Sequence, residues 1–180
     1  MSQSIFKHPI MIIHSISDLT NIPVITLLEE NLSKVVDPKI AINYNPEYRD
    51  NNANLFYLLS DGRFSTGNYY VMQTESGEYA GSAGWNKYTD DTALVFVRAY
   101  VPPKFRVNYY MARYLMPKIL KETNEYSKLW LTCNDYNKAI YNGLTKTGLS
   151  SAWPLEYKLF KPIGKHMVNY VEQYVAEYAR

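Results

Sequence analysis

Apolar residues recur along this chain at two spacings, one suited to strands and one to helices, and the alternation between them divides it into elements. Residues 10–15 read as a short strand. Val24, Leu27, Leu28 and Leu32 then recur at helical spacing behind Asp18 or Thr20, either of which can cap a helix. The stretch 43–54 is rich in Asn, Asp and Pro and reads as a loop, followed by a short helix from Leu55 that stops at Asp61-Gly62. Residues 69–73 and 79–85 read as two strands joined through Glu75-Ser76-Gly77 into a hairpin. A polar turn over 87–91 leads into a long β-branched strand over 92–101. Beyond it the period becomes helical: Met111, Ala112, Leu115, Met116, Ile119 and Leu120 form one wide apolar stripe within 107–122. Pro117 lies inside that stripe, where a missing backbone donor should kink or weaken the helix. Residues 128–133 alternate again, with Leu129, Leu131 and Cys133 on one face. Asn134 or Asp135 can cap a further helix running to Thr147, with Gly148 placed as its stop. Residues 155–160 read as a last strand, and Met167, Val171, Tyr174 and Tyr178 as the apolar face of a C-terminal helix.

Hairpin-linked strands followed by strand, helix, strand, helix imply an α/β fold with a mixed sheet. Its N-terminal half is expected to be antiparallel and its C-terminal half to contain a parallel βαβ crossover. A length of 180 residues suits a single domain over 1–180 with one core, and neither an internal repeat nor a linker interrupts it. The formal net charge is +2 with no long run of one sign, so a nucleic-acid surface is not expected. Lys104, Arg106, Arg113, Lys118 and Lys121 read as a solvated helix face. No stretch approaches the ~20 apolar residues that span a bilayer. The apolar run over 9–13 is also too short for a signal sequence. The expectation is a cytoplasmic protein with no membrane partner. One cysteine, Cys133, excludes an internal disulfide and reads as a small buried hydrophobe. His8, His14 and His166 lack metal-ligand spacing, so no metal site is expected. With 18 tyrosines in the chain, a tyrosine alone is a weak sign of function.

Chemistry concentrates in Val101-Pro102-Pro103-Lys104-Phe105-Arg106, between the long strand and the helix after it. Free backbone N–H groups at a helix start, aided by the helix dipole, bind phosphate. The segment resembles the signature of the GNAT acyltransferase superfamily, a strand ending in Val-x-Pro-x-aromatic-Arg before a glycine-rich turn and a helix. Downstream, Asn137-Lys138-Ala139-Ile140 runs on to Lys146-Thr147-Gly148-Leu149. This is similar to the family's Asn-x-x-Ala-Ile helix closing in Lys-x-Gly-Phe, with the same spacing from Asn to Gly. The two matches together cover roughly residues 80–150. The resemblance implies a GNAT-like acyl-CoA N-acyltransferase fold, with acetyl-CoA or another acyl-CoA as co-substrate and a small-molecule or peptide amine as acceptor. By the same resemblance, the backbone at Tyr100 and Val101 would bind the pantetheine arm. The amides from Arg106 through Val107, Asn108, Tyr109, Tyr110 and Met111 would hold the pyrophosphate, and Asn137 would contact the cofactor arm.

The departures from the pattern bear on function. Val107, Tyr109 and Met111 stand where the family has glycines, which let the backbone approach the phosphates closely. Losing two or three charge-assisted hydrogen bonds, at roughly 1.5–3 kcal/mol each, would weaken binding by several powers of ten. Leu144 occupies the place, seven residues after Asn137, where the family often has a tyrosine near the leaving thiolate. Tyr141, one turn earlier, is the candidate proton donor, with packing as its competing role. Glu78, Asp90 and Asp91 are candidates for a general base, against the ordinary role of turn carboxylates facing water. Arg98 and Tyr100 alternate along the long strand and line either a cleft or a half-exposed face. Asn45-Pro46-Glu47-Tyr48-Arg49 repeats the Pro-x-aromatic-Arg pattern without a helix start and reads as coincidence. The alternative to a transferase is a GNAT-shaped binding or interaction module without coenzyme A; an enzyme using an acyl donor that lacks a pyrophosphate is a third reading. The tyrosine-rich C-terminal helix leaves a homodimer open.

Overall fold

The computed structural model describes residues 10–15, 66–106, 110–133, 142 and 159–180. Its strands are β1 (Met11–Ser15), β2 (Gly67–Thr74), β3 (Tyr79–Lys87), β4 (Thr92–Tyr100), β5 (Lys128–Cys133), β6 (Lys161–Val168) and β7 (Val171–Ala179). They form one mixed sheet in the order β1-β2-β3-β4-β5-β7-β6. β1 to β4 are joined antiparallel. β4 and β5 run parallel, and β7 lies antiparallel to both β5 and β6. The antiparallel first half and the parallel crossover after it follow the order of periodicities along the chain. The helical stretch 18–32, the helix from Leu55, the 134–147 helix and most of 155–160 lie outside the described residues.

Tyr69, Tyr70, Val71 and Met72 are all buried, so β2 is covered on both faces and shows no polar alternation. Tyr70 and Met72 join Ala80, Ala83, Ala93, Leu129 and Leu131 in the main core cluster. Gly67 is fixed by close approach of the neighbouring strand: a Cβ there would stand 2.0 Å from the carbonyl oxygen of Trp85.

The β4–β5 crossover carries α1 (Pro103–Arg106), a π-helical turn over Met111–Leu115 and α2 (Met116–Glu122). The predicted stripe is the buried one: Ala112, Leu115, Met116 and Ile119 are core, with Met111 and Leu120 packed at its edge. Helical structure begins at Pro103, ahead of the helical stretch expected from residue 107, because proline suits the first helical turn. The disturbance expected at Pro117 appears in the turn before it. Pro117 has no N–H to offer a carbonyl four residues back, and the Met116 N–H reaches five residues back to the Met111 carbonyl. No helix among the described residues is long and apolar enough to cross a membrane.

The C-terminal segment corrects the sequence reading. Met167, Val171, Tyr174 and Tyr178 do not lie on a helix; β6 and β7 form a hairpin, and residue 160 precedes β6 instead of closing a strand. The hairpin turns at Asn169 and Tyr170, both with positive φ (50° and 66°), as a two-residue turn matched to strand twist requires. Tyr174 and Tyr178 pack against the main core, while Val175 packs on the opposite face with Leu94 and Val168. A strand covered on both faces loses its period of two, and a helical spacing can be picked out of what remains.

Candidate active site

β4 carries two irregularities, and they sit where its parallel pairing with β5 ends. Gly84 pairs with Val97, yet the next residue, Trp85, pairs with Val95, so Phe96 is an extra residue in β4. A second shift lies between the Ser82–Tyr100 and Gly84–Val97 pairs. Phe96 has φ 58°, a conformation disfavoured for a bulky side chain. The bulge changes which face the side chains reach: Val95 and Phe96, adjacent in sequence, both pack against the main core, while Val97 packs with Leu94 on the other side. On its other edge, β4 pairs with β5 from Thr92–Lys128 to Val95–Leu131 and no further. β4 nevertheless continues to Tyr100 and β5 to Cys133. Past Val95–Leu131 the two parallel strands no longer pair with each other.

Past Tyr100 the chain turns directly into α1. The Arg106 Nε donates to the Val101 carbonyl at 2.8 Å, tying the end of the strand to the end of that first helical turn. Phe105 and Tyr110 are buried and their rings pack 6.1 Å apart, with Tyr114 a further 6.2 Å on from Tyr110. Met111 packs at the edge of the core. The Met111 side chain is therefore engaged by the core cluster.

The chain matches no protein-family model, and no curated protein matches it by sequence. Solved structures match its fold. A spermidine N-acetyltransferase from Vibrio cholerae, in complex with CoA and spermine, aligns with a TM-score of 0.58 at 13% identity over 94% of this chain and 95% of that one. A GNAT-family acetyltransferase from Staphylococcus aureus Mu50 aligns at 0.61 and 13% over 94% and 99%. A GNAT-family acetyltransferase from Elizabethkingia anophelis with acetyl-CoA bound aligns at 0.52 and 16% over 94% and 98%. The chain has the GNAT fold.

Residues 101–106, whose sequence resembles the GNAT signature, follow the end of β4 and enter α1. Tyr100, Val101, Arg106, Tyr110 and Met111 gather there. Val107, Asn108, Tyr109, Asn137, Tyr141 and Leu144 fall outside the described residues.

The candidate bases separate by position. Asp90 and Asp91 precede Thr92 at the paired end of β4; a nine-residue strand at ~3.3 Å per residue puts them roughly 25 Å from the opened end. Asp90 pairs with Lys87 at 2.6 Å, and that contact holds its carboxyl below the usual range. Asp91 accepts from the hydroxyls of Thr89 and Thr92 and pairs with Lys128; these bonds bring its pKa to about 2. Both work as turn fasteners. Glu78 lies at the opened end, where it pairs with Lys104 of α1 at 2.7 Å. That bridge links the β2–β3 turn to the start of the crossover. Cys133 is buried at the end of β5, in keeping with a packing role. His14 bonds Gln73 at 2.9 Å, and the His166 ring packs 5.4 Å from Trp130.

Two polar clusters were not singled out from the sequence. On one face of the sheet, Tyr69 donates to the Ser82 Oγ at 2.9 Å and the Tyr79 hydroxyl lies 2.6 Å from the same atom, all three residues being buried. Ser82 pairs across the sheet with Tyr100, which puts this hydroxyl group beside the opened end of β4. Near the other end, Glu122 accepts from the Tyr70 hydroxyl and from the Trp85 Nε1 at 3.0 Å and pairs with Lys118 at 3.3 Å. Burial raises its carboxyl above the usual range, against a hydrogen bond from Asn68 that lowers it. A serine or glutamate among many tyrosines carries no local signal; only the strand register brings these groups together.

Proposed function

We propose that this protein is a GNAT acyltransferase, moving an acyl group from acyl-CoA to the nitrogen of an amine. The observation that carries the reading is the coincidence of three features on β4. Its pairing with β5 stops at Val95–Leu131, its bulge stands at Phe96, and the Val101–Arg106 turn follows directly. In this reading the thioester lies between β4 and β5 past their last mutual pair, with the backbone of Tyr100 and Val101 along the pantetheine arm. The amides from Arg106 through Val107, Asn108, Tyr109, Tyr110 and Met111 hold the pyrophosphate, and Asn137 contacts the arm.

The acceptor nitrogen attacks the thioester carbonyl, the C–N bond forms, and the C–S bond breaks. Coenzyme A leaves as its thiolate, and the attacking nitrogen gives up a proton to solvent. A backbone N–H in the gap steadies the oxyanion, the kind of preorganised donor that contributes most to acyl transfer. Tyr141 is the candidate to protonate the leaving thiolate. The acceptor class is a small or peptide amine; the Vibrio structure, which holds spermine, supports an amine without fixing which one. The whole chain, 1–180, would act as one cytoplasmic domain.

Calorimetric titration with acetyl-CoA tests this reading. Saturable binding in the micromolar range is the expected result. Silence at millimolar ligand removes the transferase and leaves a GNAT-shaped interaction module, for which the substitutions at Val107 and Tyr109 would be the reason.

A further inference from the structure

We infer that Arg180 is a latch that closes the end of the crossover against β7, whatever ligand the protein takes. The last carbonyls of a helix lack partners within it and need a cap. Helices commonly find one by turning into a left-handed glycine. The residues after α2 are Thr123, Asn124 and Glu125, and Thr123 has φ −97° and ψ 17°. The Thr123 hydroxyl turns back onto the Ile119 carbonyl at 2.8 Å and reaches that of Leu120 only at 3.4 Å. Arg180, which follows β7, caps the same end from across the fold. Its Nη2 donates to the Leu120 carbonyl at 2.9 Å, and its Nη1 donates to the carbonyls of Thr123 and, at 3.3 Å, Tyr126. Its backbone N–H donates to the Ser127 carbonyl at 2.8 Å, so main chain and side chain grip both ends of one turn. A planar guanidinium fork can span carbonyls that a point-like ammonium cannot. Its charge also faces the negative end of the helix dipole. The guanidinium lies 5.5 Å from the centre of the Tyr178 ring, which packs against the main core.

What the latch covers is buried. Thr123 is fully enclosed, and Tyr126 packs edge-on against Trp85 at 6.0 Å. Glu122 is held separately by Tyr70 and Trp85, and the pairing of β5 with β7 runs only as far as Ala179. Release of Arg180 therefore opens the turn over 123–127 as a local unit, while α2 and the sheet stay formed.

Amide hydrogen exchange, read residue by residue on the wild type, Arg180→Ala and Arg180→Lys, tests the latch. The reporting amides are those of Thr123 and Tyr126, which bond the carbonyls of Ile119 and Thr123. In Arg180→Ala they should exchange about tenfold faster or more, the size expected when a charge-assisted hydrogen bond is lost. The amides of Val71 and Met72 in β2 should change by less than about twofold. Arg180→Lys keeps the charge without the fork and should regain only part of the protection; it also decides the matter if the alanine variant fails to fold. Unchanged exchange at Thr123 and Tyr126 overturns the latch. Equal acceleration in the turn and in β2 overturns it too, since Arg180 would then stabilise the whole fold and not one turn. Full protection in Arg180→Lys overturns the role of the fork.

Discussion

At the scale of single residues, Glu122 shows how a half-buried carboxylate can serve donors in the core. Its carboxyl sits where α2 meets β2 and β3 and takes hydrogen bonds from Tyr70 and Trp85. Tyr70 is fully buried, so removing the acceptor strands its hydroxyl away from water. An unsatisfied buried donor costs about 1–3 kcal/mol. Glu122→Ala should therefore lower unfolding stability by about 2 kcal/mol, while Glu122→Gln, which keeps an acceptor oxygen, should lose under about 1 kcal/mol. Denaturant unfolding of both variants measures this, and equal losses would mean that the contact with Lys118, not the acceptor oxygen, matters. None of this was legible in the sequence, where Glu122 reads as an ordinary charge at a helix end. The same limit applies to Phe96. Residues 92–101 are apolar at nearly every position, so nothing in their alternation marks the extra residue.

At the scale of elements, the C-terminal hairpin is where periodicity misled and turn chemistry would have corrected it. Asn169 is a residue that favours positive φ, and Val168 and Val171 flank the turn as β-formers. The weak position is Tyr170, which takes φ 66° and is 99% exposed. Its ring has little packing to offset the strain. Left-handed backbone costs a non-glycine residue roughly 1–2 kcal/mol. Glycine removes that strain but loses roughly 0.5–1 kcal/mol more entropy on folding. Tyr170→Gly should thus stabilise the protein by about 0.5–1 kcal/mol, read as a higher denaturant midpoint at unchanged slope. A loss of stability would mean that the ring makes a contact worth more than the strain. The hairpin also changes the picture of the sheet's outer edge. β6 carries Pro162, a bulge near Gly164 and the charges of Lys161 and Lys165, features that discourage strand addition by another chain. The tyrosine-rich C-terminal segment contributes a strand of this hairpin and not a helix face.

At the scale of the whole molecule, the sheet consists of an antiparallel group, β1 to β4, and a second group, β5, β7 and β6, joined through four residue pairs between β4 and β5. The architecture was legible because the switch from hairpins to a crossover is written in the order of periodicities. The motif at Val101–Arg106 was legible because strand end, prolines and helix start lie within one short segment. The point where β4 and β5 stop pairing was not, since it depends on a bulge and on pairing across distant strands. A ligand seated between the two groups stabilises both at once, and the size of that effect tests how the donor is held. At a hundred times its dissociation constant, a ligand bound only by the folded state raises stability by ~2.7 kcal/mol. Acetyl-pantetheine carries the same thioester and arm as acetyl-CoA but no pyrophosphate. If the amides after Arg106 hold that group through two charge-assisted bonds of about 1.5 kcal/mol each, the donors should differ by about 3 kcal/mol, or roughly 150-fold in affinity. Thermal unfolding with each donor at equal concentration should then shift strongly for acetyl-CoA and barely for acetyl-pantetheine. Equal shifts would mean that β4 and β5 hold the thioester arm without help from the turn, and that the turn with Val107, Tyr109 and Met111 has no role in holding phosphate.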